Sequence, residues 1–598
     1  MAETDNKKKQ KPGRVLSNTL YLLGMAWKIS PRFFLGYIFD AAVLAAWTIL
    51  DAWYFKRVFD LLDAGAPVSE ILWMLLAVGI VTALLLLSST VYWWMENEKQ
   101  QLVIKCGLQL KLFDHALSLD IGKYEIPEFY NDFIFAIRSA DVKVCDILKV
   151  LRNLIRRFAG GAAVFGILLS LDLLTAGFIL AMTVPGMFFN SYINKKCYEY
   201  DMEARRSGRV ASYVSRVHYL ADYAKELRIS EAGKIMDKLY DESTEECRGL
   251  IRKYFRKVTA CGAVWMVVGA IKDNGLILIL LYKMMVEKTV MLGGFALGVT
   301  SSWSVSSALR EIVTAATELA KHSLYIEKMR TFLDTKTNIE SGAKMPEAFE
   351  SLECKNISFA YENGVEVLHD VSLKITAGEK IAIVGYNGAG KTTLIKLLMR
   401  FYDVTGGEIL LNGINIKEYD LDAYRRVIGA VFQDYKIFAA TVAENVVCGL
   451  CSEDAREGVR VALDAASFTD KLQKLPDGLD SHLTREFDDK GTNLSGGESQ
   501  KIAIARALYK RAPVTVMDEP SSALDPVAEY ELNRHIETAL TDQTVIFISH
   551  RLSTTRGAAR IYMFEHGSII EEGSHDALIA AGGKYAEMFN LQASKYRT

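Results

Sequence analysis

The sequence predicts two joined domains of different class: a six-helix, all-α domain that spans a membrane, then an α/β domain. Three observations carry this. The chain has 598 residues, more than a single hydrophobic core organises. Half of its residues are hydrophobic and mean hydropathy is +0.12 although 24% are charged, so an apolar part is joined to an ordinary polar one. Apolar runs that meet or approach bilayer length are confined to residues 33–313, whereas strand and helix patterns alternate after residue 350. This composition excludes a disordered chain, a collagen-like fibre and a disulfide scaffold. The net charge of −2 gives no reason to expect a nucleic-acid partner. It is unevenly spread: residues 1–340 hold 42 Lys and Arg against 35 Asp and Glu, a balance of +7, and the remainder 28 against 37, a balance of −9. The eight cysteines, mostly far apart, read as reduced thiols. Cys448-Gly-Leu-Cys451 lacks a thioredoxin-like context and reads as chance spacing at a helix end.

Four segments are expected: a cytosolic N-terminal segment with a surface helix (1–32), a membrane domain (33–335), a linker (336–350) and the α/β domain (351–598). Met1–Arg14 is polar and basic, with Glu3 and Asp5, and does not read as a signal or transit peptide. Val15–Ile29 reads as a short amphipathic helix at the membrane surface. The six expected spans are Phe33–Phe55, Ile71–Met95, Phe158–Leu171, Leu173–Ile193, Val258–Tyr282 and Met291–Val313. The links 56–70 and 283–290 hold only Lys56, Arg57, Lys283 and Lys288. The links 96–157 and 194–257 hold 10 and 15 basic residues, which places them and both termini in the cytosol. Both long links have helical spacing and should reverse at short turns, near Tyr124–Tyr130 around Pro127 and at Ala221–Ser230. Asp40 and Asp51 in the first span, and Lys272 and Asp273 in the fifth, each cost about 2.5–3.5 kcal/mol at a helix centre. They should face a wet cavity or one another, as a substrate-lining patch or as internal ion pairs.

In the second half, the buried-strand run Ile381–Val384 precedes Gly385-Tyr-Asn-Gly-Ala-Gly-Lys-Thr392, which fits the phosphate-loop pattern G-x-x-x-x-G-K-[ST]. Glycines let backbone N–H groups turn around the β- and γ-phosphates, Lys391 adds charge, and Thr392 can hold Mg²⁺. The expected nucleotide contacts are Gly385, Asn387, Gly388, Gly390, Lys391, Thr392 and Thr393, with ATP and Mg²⁺ as cofactors. Leu394, Leu397, Leu398 and Phe401 supply the apolar face of the helix that must follow. Pro513-Val-Thr-Val-Met-Asp-Glu-Pro520 is an apolar strand ending in two carboxylates. Asp518 is placed to bind Mg²⁺, and Glu519 to polarise an attacking water. Leu494-Ser-Gly-Gly-Glu-Ser-Gln500 opens a helix carrying Ile502, Ala505 and Leu508, so Ser495, Gly496 and Gly497 form a second anion site. One chain thus has two phosphate-binding devices. The second makes sense if it caps the γ-phosphate held by another copy.

This set resembles the ATP-binding cassette (ABC) transporter family, and membrane domain followed by cassette resembles a half-transporter of the exporter type. The likeness is specific over residues 350–590 and architectural over 15–335. It implies a six-helix transmembrane domain of ABC exporter type followed by an α/β P-loop NTPase cassette. It further implies that Tyr361 stacks on adenine and that Gln433 in Val-Phe-Gln-Asp senses Mg²⁺ and contacts the membrane part. By the same likeness, Ser522-Ala-Leu-Asp525 crosses a dimer interface and His550 reaches the γ-phosphate. Two departures stand out. Glu498 occupies a position that is most often Gln in the family, and Thr484-Arg-Glu-Phe-Asp-Asp489 replaces the stretch typical of multidrug exporters. The absence of a peptidase domain before the first span argues against a leader-cleaving peptide exporter.

The implied protein is an ATPase of the plasma or inner membrane, paired with a second half-transporter, either a copy of itself or a related chain. Export of a small molecule, lipid or peptide is the leading expectation. Uptake of a metal chelate and an ATP-gated channel are the alternatives.

Overall fold

The computed structural model describes residues 12–361, 364–520, 526–541, 543–548 and 555–594. The chain forms two compact units, Met1–Ser118 with Pro127–Thr335, and Leu119–Ile126 with Lys336–Thr598. Along residues 12–334 the helices are α1 (Pro12–Ile29), α2 (Pro31–Asp63), α3 (Val68–Tyr92), α4 (Glu98–Ser118), α5 (Ile121–Tyr124), α6 (Pro127–Leu171), α7 (Leu173–Tyr219), α8 (Ala224–Ile229), α9 (Ala232–Tyr282) and α10 (Leu292–Asp334). Their starts follow local chemistry. Ser30 Oγ accepts the Phe33 N–H ahead of Pro31 at the first turn of α2, and Asp172 accepts the Thr175 N–H at 2.8 Å to start α7.

The six expected spans lie on α2, α3, α6, α7, α9 and α10. Pro31–Asp63, Val68–Ser118, Leu173–Tyr219 and Ala232–Glu287 are long and apolar enough to cross a membrane. Among the described residues the third and sixth expected spans fall short of that standard. Phe158–Leu171 is a brief apolar end on the charged helix α6, and α10 is diluted by glycines and serines. Small residues instead serve close packing between helices. A Cβ at Gly186 of α7 would lie 2.1 Å from the Trp265 ring of α9. By contrast α3 turns Leu72, Trp73, Leu76, Leu84 and Leu87 outwards, as a lipid-facing helix does.

The charged residues of the spans are mostly paired inside this unit. Asp40, 1% exposed, accepts from Ser89 Oγ at 2.5 Å and pairs with Arg152 at 3.2 Å. Buried Lys272 donates to Ser306 Oγ at 2.8 Å and pairs with Asp273 at 3.3 Å; Ser306 in turn lies 3.3 Å from Thr183 Oγ1, which donates to the Ile179 carbonyl. Lys272 is thus tied to a buried hydroxyl whose bonds end on backbone, whereas its Asp273 partner is 64% exposed. Asp51 is exposed. Both long links are helical and reverse through short helices, α5 just before Pro127 and α8 within 221–230.

The second unit is α/β. Its strands are β1 (Ser351–Ala360), β2 (Glu366–Thr376), β3 (Lys380–Gly385), β4 (Gly406–Leu411), β5 (Ile414–Asn415), β6 (Ile428–Val431), β7 (Val514–Asp518), β8 (Thr544–Ile548), β9 (Arg560–Glu565) and β10 (Ser568–Gly573). An antiparallel sheet runs β2-β1-β4-β5, and a second sheet runs β10-β9-β3-β8-β7-β6. In the latter β9, β3, β8, β7 and β6 are parallel, so their C-terminal ends share one edge, where open α/β sheets bind ligands. Helices α11 (Lys391–Leu398), α12 (Leu421–Val427), α13 (Val442–Val447), α14 (Arg456–Ala465), α15 (Thr469–Leu472) and α16 (Gly496–Lys510) complete what the site needs. Phe401 lies beyond the end of α11 and packs as a partly buried flank of the core. Cys448 caps α13 in a left-handed turn, and both Cys448 and Cys451 are free thiols.

Candidate active site

A cleft of about 400 Å³ opens at the C-terminal edge of the parallel sheet. Asn387–Thr393 line one wall, and Gln433, Asp518, Glu519 and Ile548 another. The loop 385–390 joins the centre strand β3 to α11. Gly390, at φ = +99°, must be glycine: a Cβ there would lie 2.6 Å from Leu368. Lys391, buried at the start of α11, folds its ammonium back onto the loop, donating to the carbonyls of Gly385 (2.7 Å) and Tyr386 (3.0 Å). Burial holds its pKa below the ordinary lysine value, against the pull of Glu519 and Asp518. The helix start and this cation face the same space, as an anion site requires.

Opposite them, β7 delivers the two carboxylates differently. Asp518 ends the strand, is 3% exposed, and has its pKa pushed up to about 6 by burial and by neighbouring Glu519, despite Lys391. Glu519 leaves the strand in a left-handed turn at φ = +50°, a conformation costing a non-glycine residue roughly 1–2 kcal/mol. Its N–H donates to the Ile548 carbonyl at 3.0 Å, and its Oε2 accepts from Gln433 Nε2 at 3.0 Å. Such local strain is found where a side chain must be aimed. Among the described residues no group of three or more His, Cys, Asp or Glu could hold a metal alone. The oxygen donors Thr392, Asp518 and Gln433 fit a small hard cation that takes its remaining ligands from phosphates and water.

The folded state binds the Asp518 proton more tightly than the unfolded chain. Stability therefore falls as pH rises from roughly 4 to 6 and stays lowered above that window. Asp518→Asn should accordingly raise the thermal midpoint of nucleotide-free protein at about pH 7.5 while abolishing turnover. A lowered midpoint would show that the charge is already compensated.

The turn expected as a second anion site forms a helix cap. Ser495 caps α16 in a capping box: its Oγ accepts the Glu498 N–H at 3.3 Å, and Glu498 Oε2 accepts the Ser495 N–H at 2.8 Å. Burial pushes the Glu498 carboxyl up, but these bonds and Lys471 of α15, 2.9 Å away, outweigh it and hold the pKa below the usual value. Glutamate at this position therefore strengthens the cap. Ser495, Gly496 and Gly497 are not among the residues lining the cleft.

Tyr361 is half-buried beside the loop helix, its hydroxyl 3.2 Å from Thr393 Oγ1 and its ring edge-on to Phe359 and Tyr402. Ser522, Asp525 and His550 lie outside the described residues. Three residues escaped sequence reasoning. Tyr435 donates its hydroxyl to the Gly496 carbonyl at 2.8 Å, Gln500 donates to the Glu519 carbonyl at 3.1 Å, and Lys471 neutralises Glu498. For Gln500 the available signal was an amide inside an Ala- and Ile-rich helix face.

A family model described as ABC transporter matches residues 368–522. Over 496 residues the chain is 31% identical to the ATP-dependent lipid A-core flippase of Paraburkholderia xenovorans, covering 81% of each chain. The chain belongs to the ABC transporter family. A second relative, the subtilin transport ATP-binding protein of Bacillus subtilis, is 30% identical over 82% of this chain and 80% of its own. In fold, this ABC transporter is similar to a bacterial Atm1-family ABC exporter solved with ATP bound (TM-score 0.76, 24% identity, 95% of this chain and 99% of that one). It is an ABC half-transporter of the exporter type, a membrane domain fused to a cassette whose ATP hydrolysis is coupled to transport. Such ABC exporters work within a membrane as dimers of half-transporters.

Proposed function

We propose that this exporter is one half of a pump of the plasma or inner membrane that moves a small molecule, a lipid or a peptide out of the cytosol. Both termini and the cassette lie on the cytosolic side, and the partner is a second copy or a related chain. The observation that carries the reading is the separation of the two anion devices. Lys391, Asp518 and Glu519 share one cleft that Ser495, Gly496 and Gly497 do not line, so a complete site needs a second cassette. Residues 1–32, 33–335, 336–350 and 351–598 are the N-terminal segment, membrane domain, linker and cassette of this reading. The basic links support the cytosolic orientation, and the name of the lipid A-core flippase favours a lipid among these substrates.

In this reading Gly385–Thr393 and Lys391 hold the triphosphate and Tyr361 carries the adenine. Thr392, Asp518 and Gln433 hold Mg²⁺, which when bound neutralises phosphate charge. Glu519 takes the proton of the attacking water, with His550 at the γ-phosphate. The partner's cassette closes the site with its own copy of the 495–497 turn, and Asp525 crosses between the cassettes. ATP favours the closed pair because both faces touch its phosphates; hydrolysis removes that difference and the pair opens. The test is transport in inverted membrane vesicles. ATP should drive fluorescent lipid or peptide into the lumen. Net outward movement would identify an importer, and flux that only dissipates a gradient would identify a channel.

A further inference from the structure

The aim of Glu519 is held from behind by the helix that begins at the second anion site. Gln500 lies four residues after Gly496 and three after Gly497, on the same face of α16. It is 1% exposed, and its Nε2 donates to the Glu519 carbonyl at 3.1 Å. A buried amide is costly unless bonded, so this contact is a directed one. The Glu519 N–H is fixed to β8 through the Ile548 carbonyl, so the strained turn is clamped between the sheet on one side and α16 on the other. The loop that touches the Glu519 carboxylate through Gln433 also grips the start of α16, through Tyr435 and the Gly496 carbonyl.

We propose that Gln500 is a positioning residue that aims Glu519 through its backbone, making the base of one ATP site depend on how α16 is seated on the ATP of the other. This rests on Glu519 being the base and on residues 495–497 facing the nucleotide bound by the partner. Phosphate at the start of α16 steadies the helix and keeps the Gln500 amide under the Glu519 carbonyl. A shift of α16 withdraws that bond and lets the left-handed turn relax, so an empty neighbouring site leaves the base misaimed.

Gln500→Met keeps the shape and removes the donor; Gln500→Asn keeps the amide and shortens its reach. In the reconstituted full-length dimer each should lower kcat about tenfold or more, the effect of one hydrogen bond to a group in the transition-state assembly, with KM for ATP within about twofold of wild type. ATP-driven closure of the cassettes, read by spin-label distances in the Glu519→Gln background, should be unchanged by either substitution. Ser495→Ala and Gln500→Met together should cost less in kcat than the product of their separate losses, because both act on one link. Wild-type kcat in either variant overturns the proposal, and so does simple multiplication of the two losses. Loss of ATP binding in both variants also overturns it, since Gln500 is then a folding residue. Normal turnover by Glu519→Gln would instead overturn the assignment of the base beneath it.

Discussion

Glu519→Gln should leave ATP bound and the cassettes closed while turnover falls by about 10²–10⁴-fold, the range for loss of a general base. The amide keeps the size of the carboxylate and can still meet Gln433, but it cannot accept the proton of an attacking water. The substitution removes the charge by which Glu519 acts on Lys391 but leaves in place the bonds from Lys391 to the loop carbonyls. Affinity for ATP should therefore stay at or above the wild-type level, because the closed pair is no longer emptied by hydrolysis. Single-turnover hydrolysis and equilibrium nucleotide binding, measured on one preparation, separate the two effects. Wild-type turnover would remove Glu519 from the role of base.

Lys391→Ala should have the opposite signature. The ammonium is the buried cation of the cleft, and charge-assisted bonds to phosphate are each worth about 1.5–3 kcal/mol, so affinity for ATP should fall about 10–100-fold. The nucleotide-free protein should lose little stability, because relief of the buried ammonium's desolvation offsets the lost bonds to the Gly385 and Tyr386 carbonyls. Fluorescent-nucleotide titration reads the affinity, and a thermal scan without nucleotide reads the stability. Unchanged affinity would contradict the loop assignment.

What the sequence made legible was local. Gly385–Thr392 is contiguous, and its strand, turn and helix are each specified by neighbouring residues, as are the helix start at Ser495 and the strand that ends at Asp518. What it hid was tertiary. Gln500 meets Glu519 across 19 positions and Tyr435 meets Gly496 across 61, and no periodicity encodes such contacts. Lys272 shows the same boundary. Its cost in a span was readable, but its hydroxyl partner Ser306 comes from another helix, and only packing reveals it. The third and sixth spans were read as such, although charge on one helix and glycine and serine on the other dilute the apolar signal that bilayer length arguments rely on.

The unbroken length of α9 has a mechanical consequence. Its 51 residues make a rod of about 76 Å, more than twice the roughly 30 Å of hydrocarbon it must cross. A pivot of only about 5° at one end of such a rod swings the other by about 7 Å, more than one full helical turn of travel. Leverage of this kind turns small rotations near one tip into large displacements at the far one, without any helix having to melt.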